Sequence, residues 1–252
     1  MARRIDSLAI ALTVGATIAV AGGTAPEAGN PVTIGRYRTI HSEVLGEDRT
    51  VLVHLPEGYS ATTASYPVVY MLYGDHVTTY FARAVSELDT LSSGGRIPEC
   101  ILIAVMNTDR YRDLLPEVRG EPTGIDDFIR FFEAEFFPWV ETELRTKPFR
   151  MLVGPQAGAN FALYTLMARP RMFDAFIIEN PFRWRGGRER LVEQAESFFS
   201  AETDRTGFVH ISWRETDELE TESLPYLTGF AETVESAGDA DIRLVLDEVP
   251  VD

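Results

Sequence analysis

Arg150-Met-Leu-Val-Gly-Pro-Gln-Ala-Gly-Ala-Asn-Phe-Ala-Leu-Tyr-Thr-Leu166 is the stretch on which the fold turns. Its first four residues read as a strand, Gly154 to Gly158 as a tight turn, and Ala159 to Ala168 as a helix that Pro170 stops. A strand that passes straight into a helix is the building unit of a parallel sheet, and the flanking sequence repeats it. Upstream, Pro67-Val-Val-Tyr-Met-Leu-Tyr73 is almost continuously apolar, β-branched or aromatic, as a strand buried on both faces requires. Val51, Val53 and Leu55 alternate with Leu52 and His54 in an earlier strand that Pro56 ends. A helix is expected from Tyr80 to Leu91, a strand from Ile101 to Val105, and a long loop from Asn107 to Pro122.

Ile125, Phe128, Ile129, Phe132, Phe136 and Val140 recur at helical spacing, with Asp126, Asp127, Arg130 and Glu133 on the opposite side. That helix lays an aromatic stripe on the core, and Pro138, which removes one backbone donor, is expected to kink it. Beyond Leu166, strands are expected over Phe173 to Ile178, Phe208 to Trp213 and Ile242 to Leu246, with helices over Gly187 to Ser200 and Leu224 to Ser236. The whole is an α/β domain, residues 32–252, with a mostly parallel central sheet and helices on both faces.

Thirty-nine acidic against 23 basic residues give a net charge of −16, which repels phosphate backbones and anionic lipid and so argues against nucleic acid as a partner. The N-terminus carries Met1-Ala-Arg-Arg4, an apolar run from Leu8 to Val20, and an A-x-A pattern at Ala19-Val20-Ala21. This is the layout of a secretory signal peptide over residues 1–23, followed by a linker over 24–31, and it predicts a secreted or periplasmic protein. The apolar run is shorter than the roughly 20 residues of a spanning helix, so no membrane span is expected after leader cleavage. Cys100 is the only cysteine and opens an apolar run, which reads as a buried strand residue.

Several segments resemble the esterase family of α/β-hydrolases that includes esterase D and the ferric-siderophore esterases. Val44-Leu-Gly-Glu-Asp-Arg49 followed by Val53-His-Leu-Pro-Glu-Gly-Tyr59 looks like that family's entry strands and turn. Tyr66 to Gly74 looks like its third strand, Asn107-Thr-Asp-Arg110 with Arg112, Asp113 and Pro116 like its following loop, and Phe161 to Leu166 like the helix after the nucleophile. The likeness runs from about Val32 to Glu248. It implies the α/β-hydrolase fold and ester chemistry, with a nucleophilic serine in G-x-S-x-G on a sharp strand-to-helix turn.

Here the turn reads Gly154-Pro155-Gln156-Ala157-Gly158. Both elbow glycines are present, but the apex is Gln156, whose carboxamide nitrogen is a poor nucleophile because its lone pair is delocalised. Pro155 and Asn160 also differ from the family's usual residues. The family places a histidine after the last strand. Leu246-Asp-Glu-Val-Pro-Val-Asp252 supplies none, and the family's last helix is likewise expected to be lacking. His41, His54 and His210 fall on strands, and His76 borders the pocket from the other side. Glu215, Asp217, Glu218 and Glu220 read as a solvated acidic loop where the triad acid would stand. The resemblance leaves a residual oxyanion hole at the backbone of Ala157 and Asp75, with His76, Asn107, Asp109 and Arg110 as further pocket candidates.

No metal-ligand spacing, phosphate loop or other cofactor motif is present in the sequence. The reading is an exported pseudo-esterase that binds an ester- or acyl-like small molecule. The alternatives are an ester or acyl hydrolase using Asp75, His76 or Asp109, and a truncated, non-functional homologue.

Overall fold

The computed structural model describes residues 33–72, 77–182, 187–200, 207–213, 218–237 and 242–248. The leader and linker expected over residues 1–31 lie outside them. Eight strands form the main sheet: β1 (Arg36–Ser42), β2 (Glu47–His54), β3 (Tyr66–Leu72), β4 (Ile101–Val105), β5 (Thr146–Pro155), β6 (Ala175–Glu179), β7 (Gly207–Trp213) and β8 (Ile242–Glu248). Their order is β1-β2-β4-β3-β5-β6-β7-β8. β1 and β2 are antiparallel to their neighbours, and every pairing from β4 to β8 is parallel. This is the mostly parallel sheet that the strand-helix alternation predicts.

All seven residues of β3 are buried, and their alternation divides them between two cores. Val69 and Met71 meet Phe81 and Val85 of helix α1 (Val77–Ser93), together with Leu102 and Ala104 of β4. Val68, Tyr70 and Leu72 face the larger core on the other side. There the Tyr70 ring stands edge-on to Phe136, Phe137 and Phe173 at 5.2–5.9 Å between centroids, an arrangement that adds to the area each ring buries.

Phe136 and Phe137 belong to the aromatic stripe, which is not one continuous α-helix. It runs as α3 (Ile125–Phe131), a π-helical turn over Phe132–Phe136, and α4 (Phe137–Glu143). In the wide turn the Phe137 N–H reaches back to Phe132 O. Pro138 follows at the start of α4, where a missing N–H is tolerated. The expected kink is therefore a bulge upstream of the proline.

The segment after β4 is also more ordered than a loop. Helix α2 (Arg110–Leu114) is followed by a hairpin that pairs Glu117–Val118 with Glu121–Pro122. Arg119 and Gly120 at its tip have φ of 55° and 85°, the left-handed pair that a two-residue turn needs.

Arg49 of β2 anchors this segment. Its side chain is fully buried, with Nη2 donating to Asp113 Oδ2 at 2.7 Å and Nη1 to Thr108 Oγ1 at 3.0 Å, and the guanidinium lies 5.0 Å from the Phe128 ring centre. Arg112 grips Glu47 with two bonds, 2.6 and 3.2 Å, and Asp113 with a 2.7 Å bond from Nε. The Arg112 contact holds the Glu47 carboxyl below its ordinary value of 4.5. A depressed carboxyl adds stability above its unfolded pKa and loses it as pH falls through the folded one. The urea midpoint is accordingly expected to fall below about pH 4.5, and Glu47→Gln to remove part of that slope. Parallel profiles for the two proteins would exclude Glu47 as a source.

Helix α5 (Ala157–Ala168) follows the elbow, α6 (Arg188–Ser200) follows β6, and α7 (Glu218–Ala237) follows β7. α7 begins six residues before the expected Leu224 and carries Pro225 within it. Among the described residues, no helix is long and apolar enough to cross a membrane.

Candidate functional site

At the end of β5 the chain turns through Gln156 into α5. Gln156 has φ 54° and ψ −113°, a backbone region that a residue with a Cβ enters only when its surroundings impose it. Two close approaches do so. A methyl group on Gly154 would overlap the Gly158 carbonyl, and one on Gly158 would sit 2.5 Å from Leu72 O. The Gln156 N–H is fixed to Glu179 O at 2.8 Å, and the Ala159 N–H closes on Gln156 O at 3.0 Å. The strand thus passes into the helix through a sharp turn with Gln156 at its apex.

The neighbouring strand ends are stitched to it. Asn180 N–H donates to Ser212 O at 2.8 Å, which continues the β5–β6 link across to β7. Asn180 and Phe182 both have positive φ, 51° and 64°. Asn160, buried one helical turn beyond the apex, accepts a 3.2 Å bond from the Phe182 N–H through Oδ1. Arg188, also buried, donates through Nε to Phe182 O and stacks 5.5 Å from the Tyr226 ring centre. In the sequence Asn160 stands out only as a departure from the family. Its role is to pin the left-handed turn beside Gln156, and no local pattern announces that contact across 22 residues.

Gln156 borders a groove of about 690 Å³ on the α1 side of the sheet. α1 covers Val69, Met71 and Leu102, while Met151, Val153 and Ile177 emerge beyond it and form a half-buried apolar floor. The end nearest the elbow is polar, with Gln156, Glu179, Ser212 and Trp213. The Gln156 carboxamide makes no hydrogen bond within the described residues.

The other candidates distribute unevenly. Asp75 and His76 lie outside the described residues, as do Glu215 and Asp217. Glu218 and Glu220 open α7 and do not belong to a loop. Ala157 is the first residue of α5. Asp109 caps α2, accepting from the Tyr111 and Arg112 N–H groups at 3.0 and 3.1 Å. Arg110 opens that helix, Asn107 precedes it half-buried, and none of these three lines the groove.

His41 is exposed and bonded through Nδ1 to Asp48 at 2.7 Å, which raises its pKa. His54 Nδ1 is engaged with Ile34 O at 2.9 Å. His210 is half-buried on β7, two residues short of the strand's polar end, and not a fully enclosed core histidine. None of these three bonds to Gln156. Cys100 is half-buried and stands just before β4, its thiol directed to Pro98 O at 3.1 Å, with a pKa that burial raises. Among the described residues no three His, Cys, Asp or Glu side chains converge as a metal site.

The fold agrees with comparison to known proteins. Residues 42–198 match the family model described as "Putative esterase". The chain belongs to that esterase family. A curated relative, the uncharacterized protein YjcH of Bacillus subtilis, is 28% identical over 144 residues; the match takes in 56% of this chain and only 59% of that protein. Among solved structures, an IroE-like serine hydrolase from Shewanella oneidensis is 24% identical with a TM-score of 0.73, over 86% of this chain and 73% of that one. The siderophore hydrolase EstB from Aspergillus nidulans is 18% identical with a TM-score of 0.69, over 89% and 91% of the two chains. At these identities the structural likeness shows the α/β-hydrolase fold of this esterase-family chain.

Proposed function

We propose that this chain is an exported pseudo-esterase, an α/β-hydrolase domain that holds an ester- or acyl-like small molecule without cleaving it. The carrying observation is Gln156, placed with the strained backbone of a nucleophile elbow but bearing a carboxamide. The family mechanism needs an attacking oxygen at that apex and a base within hydrogen-bond reach of it. Gln156 supplies no such oxygen; His41 and His54 are engaged with Asp48 and Ile34 O, and among the described residues no histidine is hydrogen-bonded to Gln156. The expected leader, with Arg3 and Arg4 ahead of the Leu8 to Val20 run, supports export to the periplasm or medium.

The test is hydrolysis of short activated esters by the full chain, with Gln156→Ala and Gln156→Ser alongside. All three are expected to stay at the uncatalysed rate while unfolding cooperatively. Turnover by the parent chain above that rate would overturn the reading, and its loss in Gln156→Ala would place Gln156 in the chemistry.

A further inference from the structure

We infer that the groove beside α1 is a binding site for a neutral, medium-chain acyl amide, lying along the sheet with its head group at the elbow. The inference rests on the non-catalytic reading above and deepens it by naming the ligand class. The groove's volume of about 690 Å³ is that of a small-molecule site, and its layout is apolar along its length and polar at one end. Met151 and Pro155 mark the two ends along β5, four residues apart, which spans roughly 13 Å of extended strand. Val153 and Ile177, adjacent in register, give a continuous hydrocarbon floor between those ends. A linear alkyl chain of medium length fits that floor.

The head group follows from the polar end. Gln156 presents a carboxamide with donors and an acceptor unused within the described residues. Glu179, exposed at the tip of β6 and tied to Gln156 through the backbone, offers only acceptors when ionised. An amide satisfies both, its carbonyl accepting from the Gln156 side-chain N–H and its own N–H donating to Glu179. A free carboxylate would face Glu179 with like charge, in a chain already at −16. Arg83 and Glu87, one turn apart on the α1 rim, contribute opposite charges and leave that preference to Glu179.

Calorimetric titration of the full chain with octanamide, octanoate and octanol tests this. Octanamide is expected to bind at one site, at least tenfold more tightly than octanoate or octanol. Gln156→Leu and Glu179→Ala are each expected to weaken octanamide about tenfold, and Glu179→Gln to narrow the gap between amide and acid. Because Glu179 is exposed, its variants keep the fold intact, and matched thermal melts verify that. No binding of octanamide, equal affinity for octanoate, or an unchanged affinity in Glu179→Ala would overturn the acyl-amide assignment. Mass spectrometry of the same samples separates this from the parent reading: octanoate released from octanamide would overturn the non-catalytic assignment, whereas absence of both cleavage and binding would overturn the ligand class alone.

Discussion

Asp113→Ala is expected to destabilise the chain by about 3 kcal/mol, the lower end of the cost of breaking a buried ion pair, because Arg49 loses its shortest contact and keeps only Glu47 as a charge partner among the described residues. Arg49 is wholly enclosed, and its shortest contact is the 2.7 Å bond to Asp113 Oδ2. Its remaining contacts compensate poorly. Glu47 Oε1 lies 3.0 Å from Arg49 Nε, yet Nε has no hydrogen bond of acceptable direction, and Thr108 is a neutral acceptor. The faces of Phe128 and Phe131, 5.0 and 6.0 Å from the guanidinium, favour a cation only weakly by comparison. With total stabilities of roughly 5–15 kcal/mol for natural domains, this one change removes a large fraction. Guanidinium unfolding followed by fluorescence would show it as a lower midpoint at unchanged slope. Removing the cation together with the carboxylate, as Arg49→Met with Asp113→Leu, is expected to recover most of the loss, since an apolar pair of similar volume replaces a buried ion pair at little cost. An Asp113→Ala loss below about 1 kcal/mol, the range of exposed pairs, would show that water reaches Arg49.

That cluster is held by contacts that leave no local mark in the sequence. β3 and β4 are legible because unbroken apolar runs have one satisfactory fate, burial on both sheet faces. The elbow is legible because glycines four apart, between a strand and a helix, record close backbone approaches. Between Asn107 and Pro122 the determinants are polar and long-range. Arg49 reaches Asp113 from 64 residues away, and Arg112 reaches Glu47 from 65. Only Asp109 as a helix cap and Arg119-Gly120 as a turn were local signals, and the surrounding polar composition concealed them. The start of α7 is hidden in the sequence for a related reason. Acidic residues resemble a solvated loop, although they also suit a helix's positive end, and the helix begins among them at Glu218. At the site, the groove depends on which half of a sheet face α1 leaves uncovered, a property of packing with no counterpart in residue periodicity.

The elbow itself yields a pair of expectations of opposite sign. Gly154→Ala is expected to cost about 3 kcal/mol, near the upper end of overpacking penalties. Its new methyl would meet backbone, the Gly158 carbonyl with its carbon at 2.7 Å and the Ala159 nitrogen at 3.2 Å, so no side-chain rotation relieves it. The gain from replacing glycine in a strand is at most about 1 kcal/mol and does not offset this. Gln156→Gly is expected to stabilise by about 1–3 kcal/mol, because glycine alone adopts φ 54° with ψ −113° without steric conflict. For a protein of this size the two changes correspond to melting shifts of opposite sign, roughly 6–12 °C down for the first and about 2–12 °C up for the second. If Gln156→Gly instead melts lower, the carboxamide makes interactions that outweigh its backbone strain. If it melts higher, the native chain retains a strained apex at a thermodynamic loss, with a carboxamide held at that apex. Retained strain of that kind is intelligible when the Gln156 carboxamide must be held at the mouth of the groove. The same variant should therefore lose octanamide affinity as it gains stability.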